Sequence, residues 1–311
     1  MFSSFVNKMV PLGAVGTAGL ILYRQVKNSL RLNPVDLRKY HMEQSFSEIL
    51  QISSESVKIL LPRLKEIILT ILNSGSLVEN LRKSNTDKGI IWEEFKVTAF
   101  SQVFVTIISM SYLIILSHIQ FAVLMGINNS QEYPDPGCNV CEKFLNKLPD
   151  LCLDIKEKVR SSLENLFVKE RITLPALKNI MREIEVILQA DIGHLYKLVL
   201  GENDTEVSAA MHDVLTLTDT ADLHQELIAH GLDNCLRSLS SSFPASNNFG
   251  LSFSSSSEGN FEVIVAKLIP VLCDCIHNMT SDVRNGLLQQ YLNIPKLTTH
   301  TANIYECFMN K

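Results

Sequence analysis

From Ile90 to Asn128 the chain contains no proline, and its one glycine in that stretch is Gly126. Proline breaks helices and glycine weakens them, so this segment reads as one uninterrupted helix, roughly 55–60 Å long at about 1.5 Å per residue. From Val103 to Ile127 it is apolar on nearly every side. Such a helix either crosses a membrane or forms the central post of a bundle. Thr106, Ser109, Ser111, Ser117, His118 and Gln120 interrupt the apolar run, which favours the buried post. The alternative is a two-span membrane protein, a channel or transporter accessory, that uses 103–127 as a second transmembrane helix.

Composition supports a helical reading of the remainder. The 311 residues include only 13 glycines and 10 prolines, about 7% against a usual ~12%, too few turn formers for a sandwich, barrel or doubly wound sheet. With 46% hydrophobic and 20% charged residues, the chain can bury a substantial core and is not intrinsically disordered. The expected fold class is all-α: an N-terminal membrane anchor followed by a cytosolic bundle of long helices around a central helix.

The net charge of −5 is unevenly spread. Residues 1–40 carry Lys8, Arg24, Lys27, Arg31, Arg38 and Lys39 against the single acid Asp36, while the rest of the chain is acidic on balance. A nucleic-acid-binding body shows a basic patch or stripe, so no nucleic-acid partner is expected. Seven cysteines, at 138, 141, 152, 235, 273, 275 and 307, are odd in number and scattered, which fits a reducing compartment better than a disulfide framework. Sequons at Asn128, Asn203 and Asn278 matter only if the body faces a secretory lumen.

The segment Met9–Tyr23 holds fifteen uncharged residues, with Met9, Val10, Leu12, Val15, Leu20, Ile21, Leu22 and Tyr23 as its bulky apolar positions. It is short beside the usual ~17–25 residues of a membrane helix. A cleaved signal peptide is the alternative, but Tyr-Arg-Gln-Val-Lys follows the apolar core, a poor cleavage site and a good stop. Basic residues after the span place the body in the cytosol. Gly13, Gly16 and Gly19 have the spacing GxxGxxG rather than GxGxxG and lack a preceding strand, so they read as small residues of a membrane helix, not a dinucleotide loop. The domains are accordingly 1–32, anchor and flanks, and 33–311, the helical bundle.

Further along, Asn33-Pro34 opens a helix to about Leu50. Ser53 or Ser54 opens another, bearing Val57, Leu60, Leu61, Leu64, Ile68 and Ile71 at helical period, kinked at Pro62 and closed by Gly75. A short helix from Leu77 to Lys83 precedes the polar loop 84–89. Amphipathic segments follow at Val140–Lys169, Thr173–Leu200, Leu223–Leu239, Phe261–Met279 and Pro295–Met309, with a flexible serine-rich loop at about 238–260.

Little in this chain resembles an active site. Cys138-Asn-Val-Cys141 and Cys273-Asp-Cys275-Ile-His277 could together supply four zinc ligands, but buried cysteine on an apolar helix is ordinary packing. No histidine lies in HExxH and no serine in GxSxG. His118 reads as a hydrogen-bonded core or groove residue rather than a catalytic base, and Glu93 and Glu94 favour the macrodipole at a helix start. Neither an enzyme, a cofactor, a bound metal nor a small-molecule substrate is expected.

The segment Ile90-Ile-Trp-Glu-Glu-Phe-Lys-Val-Thr-Ala-Phe100, continuing into SQVFVTIISMSYLIILSHIQ, resembles the signature of the peroxin-3 family. Arg38-Lys-Tyr-His41, Ala266-Lys-Leu-Ile-Pro270 and Ala302-Asn-Ile-Tyr-Glu-Cys-Phe308 resemble further family elements, in the same order. The resemblance implies a single-pass peroxisomal membrane protein whose cytosolic tip binds an amphipathic helix of the import receptor peroxin-19 and so supports insertion of peroxisomal membrane proteins. Carried over singly, it assigns Leu81, Lys88, Trp92, Phe95, Lys96 and Lys267 to the partner groove. Trp92, the sole tryptophan, is the expected hot spot. The lysines are expected to pair with acids of the partner helix.

Overall fold

The computed structural model describes residues 34–83, 88–127, 140–189, 206–243, 262–281 and 286–309. Among them are ten helices: α1 (Pro34–Ile71), α2 (Ser74–Lys83), α3 (Lys88–Ile127), α4 (Val140–Ser162), α5 (Leu174–Gln189), α6 (Glu206–Leu215), α7 (Thr218–Ser242), α8 (Val265–Met279), α9 (Leu287–Leu292) and α10 (Pro295–Met309). Two short strands, β1 (Arg171–Thr173) and β2 (Glu262–Ile264), pair antiparallel with Ile172 opposite Val263. The fold is all-α, as composition implies. The anchor segment 9–23, with Met9, Val10, Leu12, Val15, Leu20, Ile21, Leu22 and Tyr23, lies outside the described residues.

The chain divides into residues 1–48 and residues 49–311. The first unit contributes the beginning of α1, and the second holds the other described helices and both strands.

α3 is the post around which this second unit is built. Every residue from Phe95 to Gln120 is buried, and α3 packs against α2, α4, α6, α7, α8 and α10. α1 joins them through hydrogen bonds: Ser117 Oγ donates to Ser53 O at 3.1 Å, and the Gln102 amide donates to the carbonyl of Leu72, the residue after α1 ends. By length and composition α3 could cross a membrane, yet its whole apolar window is enclosed by the other helices. Some of its polar residues are accommodated by its own backbone, whereas the buried Thr98 and Ser109 hydroxyls make no hydrogen bond among the described residues. Ser101, Thr106 and Ser111 donate to carbonyls three or four residues back, and His118 Nδ1 lies 2.9 Å from Ile114 O. Such back-bonding lets a hydroxyl sit in an apolar core without an orphaned donor.

Several helix boundaries differ from those expected. α1 runs through Ser53 without a break, because Ile49, Ser53, Val57, Leu60, Leu64 and Ile68 form one continuous buried face. Ser54 turns its hydroxyl back onto Leu50 O at 2.7 Å instead of capping a new helix. α2 starts before Gly75, because Asn73 caps it: its Oδ1 accepts the Ser76 N–H at 2.9 Å. α4 ends at Ser162, not Lys169, and residues 163–170 form turns leading into β1. α5 opens at Leu174 under a Thr173 hydroxyl that accepts from Ala176 N–H at 3.4 Å, and it is described to Gln189. α7 runs on through Ser242 into the expected serine-rich loop, with Ser240, Ser241 and Ser242 bonded back to Arg237 and Ser238 carbonyls. Residues 262–264 form β2 before α8 begins.

Candidate functional site

One end of α3 emerges from the bundle. Its first seven residues are exposed or half-buried, and Ile90 is 69% exposed, whereas Phe95 is 4% exposed. α2 packs beside this end and buries none of its residues; Leu77, Val78 and Leu81 stay half-buried along it. Two short apolar surfaces therefore lie next to one another, each incompletely covered. Trp92, half-buried, leans on Phe95 with ring centroids 5.8 Å apart, so the buried phenyl ring supports the indole from below.

This end is braced by the turn segment 163–170. The Lys96 ammonium donates to Leu163 O at 3.1 Å and to Leu166 O, and it pairs with Glu93 Oε2 at 2.6 Å. Glu93 Oε1 in turn accepts the Val168 N–H at 3.3 Å. The same segment receives α8, since Val265 N–H donates to Glu170 O and Ala266 N–H to Val168 O, both at 3.0 Å. Thus Val168 bridges the first turns of α3 and α8, donating to one and accepting from the other. Glu94 adds a second clasp, to Lys156 at 2.7 Å and Arg160 at 2.9 Å on α4. Partial burial pushes the Glu94 carboxyl up, and the two cations more than offset that, holding it below the ordinary carboxylate value.

The six expected groove residues fall into two groups. Leu81 (half-buried), Lys88 (exposed), Trp92 (half-buried) and Lys267 (exposed) reach the surface. Lys267 follows Ala266, so the Val168 bridge brings its helix turn to the α3 end. Phe95 and Lys96 do not face outward. Lys96 is 2% exposed, and its charge is already met by two carbonyls and a carboxylate, so it underpins this end of the bundle rather than offering a free cation. Sequence reasoning missed Phe167, 64% exposed beside Val168, because a continuous helix to Lys169 would contain it. It also passed over Ile90, readable as apolar but not as uncovered.

Among the described residues no three histidine, cysteine or acidic side chains converge as a metal site; Cys138 lies outside them. Burial pushes the Cys141 and Cys152 thiols up to about 12, and burial lowers His118 to about 4 and His224 to about 3. The surface of this end carries the apolar Ile90, Leu81 and Trp92, the cations Lys88 and Lys267, and the acids Glu79 and Glu93.

No family model matches the chain. It is 23% identical over 318 residues to Peroxisomal biogenesis factor 3 of Cricetulus longicaudatus, an alignment covering 87% of this chain and 84% of that protein. The proteins of the same name from Mus musculus and Homo sapiens are each 22% identical, over 317 and 318 residues, with the same coverage. These low but nearly full-length identities support a relationship with peroxin-3.

Proposed function

We propose that this chain is a peroxisome biogenesis factor, a non-enzymatic docking receptor held in the peroxisomal membrane by residues 9–23. Its 33–311 domain faces the cytosol, binds an amphipathic helix of peroxin-19 and supports insertion of peroxisomal membrane proteins. The observation that carries this reading is the nearly full-length similarity to peroxisomal biogenesis factor 3 proteins. The incompletely covered apolar end formed by α2 and α3 supports it, with Leu81 and Trp92 as apolar anchors and Lys88 and Lys267 as exposed cations. An amphipathic helix with acidic flanks is complementary to such a surface.

Enclosure of α3 by six of the described helices favours this over the two-span alternative, because a lipid-facing helix does not also fill a bundle core. Two measurements test the reading. Purified peroxin-19 is expected to capture the detergent-solubilised chain, and no capture overturns the docking role. Protease added to intact organelles is expected to digest the whole body; protection of the segment after α3 establishes the two-span topology instead.

A further inference from the structure

Phe167 faces water, yet the turn that carries it is tied down on both sides. Leu166 and Val168 are each 7% exposed, whereas Phe167 between them is 64% exposed. Its own N–H donates to Glu170 Oε2 at 3.3 Å, and its carbonyl accepts the Glu170 N–H at 3.0 Å. The Leu166 carbonyl accepts from the Lys96 ammonium, and the Val168 N–H donates to Glu93 Oε1. The phenyl ring is thus carried outward by backbone fixed to α3, with a large apolar group left in water.

A single exposed apolar residue is ordinary, but this one has neighbours. Successive residues of a helix step round its axis by about 100°. Around the first turns of α3 the order is therefore Trp92, Lys96, Glu93, Ile90, so the two clasped residues lie between the two apolar ones. The turn segment is bonded to Lys96 and Glu93, which carries Phe167 to the gap between the half-buried Trp92 and the exposed Ile90.

We propose that the docking surface extends across the Val168 bridge and that Phe167 is a specificity-determining position, receiving a second bulky apolar residue of the partner helix. This extension rests on the docking role proposed above. Trp92 takes one apolar residue of that helix, and Phe167 with Ile90 takes another on the same face, as i, i+3 and i+4 spacing allows. Two carboxylates border Phe167: Glu93, paired with Lys96, and Glu170, which accepts the Phe167 N–H. They disfavour an acidic partner residue here by like-charge repulsion. Acids of the partner belong instead beside the exposed Lys88 and Lys267, the latter following Ala266, whose N–H donates to Val168 O. The partner segment is accordingly an apolar stripe with its acids at the margins, not a uniformly acidic face.

The test titrates the full-length chain in detergent with purified peroxin-19 and records affinity and melting temperature. Phe167→Ala is expected to weaken binding about tenfold at an unchanged melting temperature, and Phe167→Leu to keep most of the affinity. Val186→Ala, at a residue 67% exposed on α5, is expected to change neither. A benzophenone photocrosslinker at position 167 is expected to label peroxin-19, and one at position 186 is not. With the wild type bound, unchanged affinity in Phe167→Ala or an unlabelled partner from position 167 overturns this extension and leaves the docking role standing. A wild-type chain that does not bind peroxin-19 overturns both.

Discussion

Lys96 Nζ lies 2.6 Å from Glu93 Oε2, one turn earlier on α3, and while the glutamate side chain is 46% exposed the lysine side chain is 3% exposed. The pair straddles the boundary between core and surface. Its buried member holds the turn segment through Leu163 O and Leu166 O, and its outer member holds the same segment through Val168 N–H. Replacing Lys96 by Met keeps the stem's apolar contacts and removes the charge, leaving two inward-facing carbonyls without their donor. Loss of such charge-assisted bonds is expected to cost about 2–3 kcal/mol. The exposed Lys88→Met is expected to stay within about 0.5 kcal/mol of wild type. Urea unfolding midpoints separate the two, and equal midpoints would show that the Lys96 clasp carries no stability.

Gly231 on α7 sits where neighbouring side chains leave no room for a Cβ. A Cβ added there would lie 2.3 Å from the Tyr291 hydroxyl oxygen and 2.7 Å from Ile107 Cγ2. Alanine is the better helix former by about 1 kcal/mol, yet the overlap is expected to dominate, with Gly231→Ala destabilising by about 1–3 kcal/mol net. The Tyr291 hydroxyl is buried and makes no hydrogen bond among the described residues. Tyr291→Phe is therefore expected to be close to neutral alone and to restore part of the Gly231→Ala loss, the Ile107 contact remaining. Thermal melts of the two single variants and the double variant measure this coupling.

What could be read from sequence and what could not divide along a physical line. The central post was legible because helical continuity and apolar content are local properties of Ile90–Asn128. The uninterrupted course of α1 was not: Ser53 looks like a cap until its carbonyl is seen receiving Ser117, 64 residues away. Trp92 is singled out by the family resemblance, since rarity and a place at a helix start fit a core tryptophan as well; its half-buried setting depends on how α2 and α3 pack. Burial of Lys96 could not be read from sequence, since it depends on a turn segment about seventy residues distant, hidden by extending α4 to Lys169. The same extension concealed Phe167.

Buried histidines make stability depend on pH. Burial lowers His118 to about 4 and His224 to about 3 from an ordinary value of 6.5; burial also lowers His300, the Asp219 carboxylate opposing and Lys296 reinforcing it. Their neutral forms belong to the folded chain, whereas the unfolded chain takes up protons below about pH 6.5. The stability they contribute is thus fully present above 6.5 and falls as pH drops toward the folded values. Between pH 7 and pH 5 the expected loss is about 1–2 kcal/mol per histidine for His118 and His224. Urea titrations at the two values check it, and His118→Gln is expected to flatten the dependence. An unchanged midpoint would mean the rings are protonated within the fold.

Trp92 provides the most direct test of the docking surface, because the indole is half-exposed while the ring beneath it is buried. Trp92→Ala removes surface more than core. Helicity and melting temperature are expected to change little, while affinity for peroxin-19 falls by at least ~2 kcal/mol, about thirtyfold, as at a central hot spot. Phe95→Ala is the converse case: a phenyl ring that is 4% exposed leaves a cavity, expected to cost about 3–5 kcal/mol of folding stability, so its binding defect should track unfolding. Phe167→Ser, at the exposed turn beside Val168, separates a wide contact from a narrow one. Lost affinity with normal stability would extend the surface across the Val168 bridge, whereas unchanged affinity would confine it to α2 and α3. Since Trp92 is the sole tryptophan, its emission should shift when the partner helix covers it. Unchanged emission together with unchanged affinity in Trp92→Ala would remove this surface as the docking site.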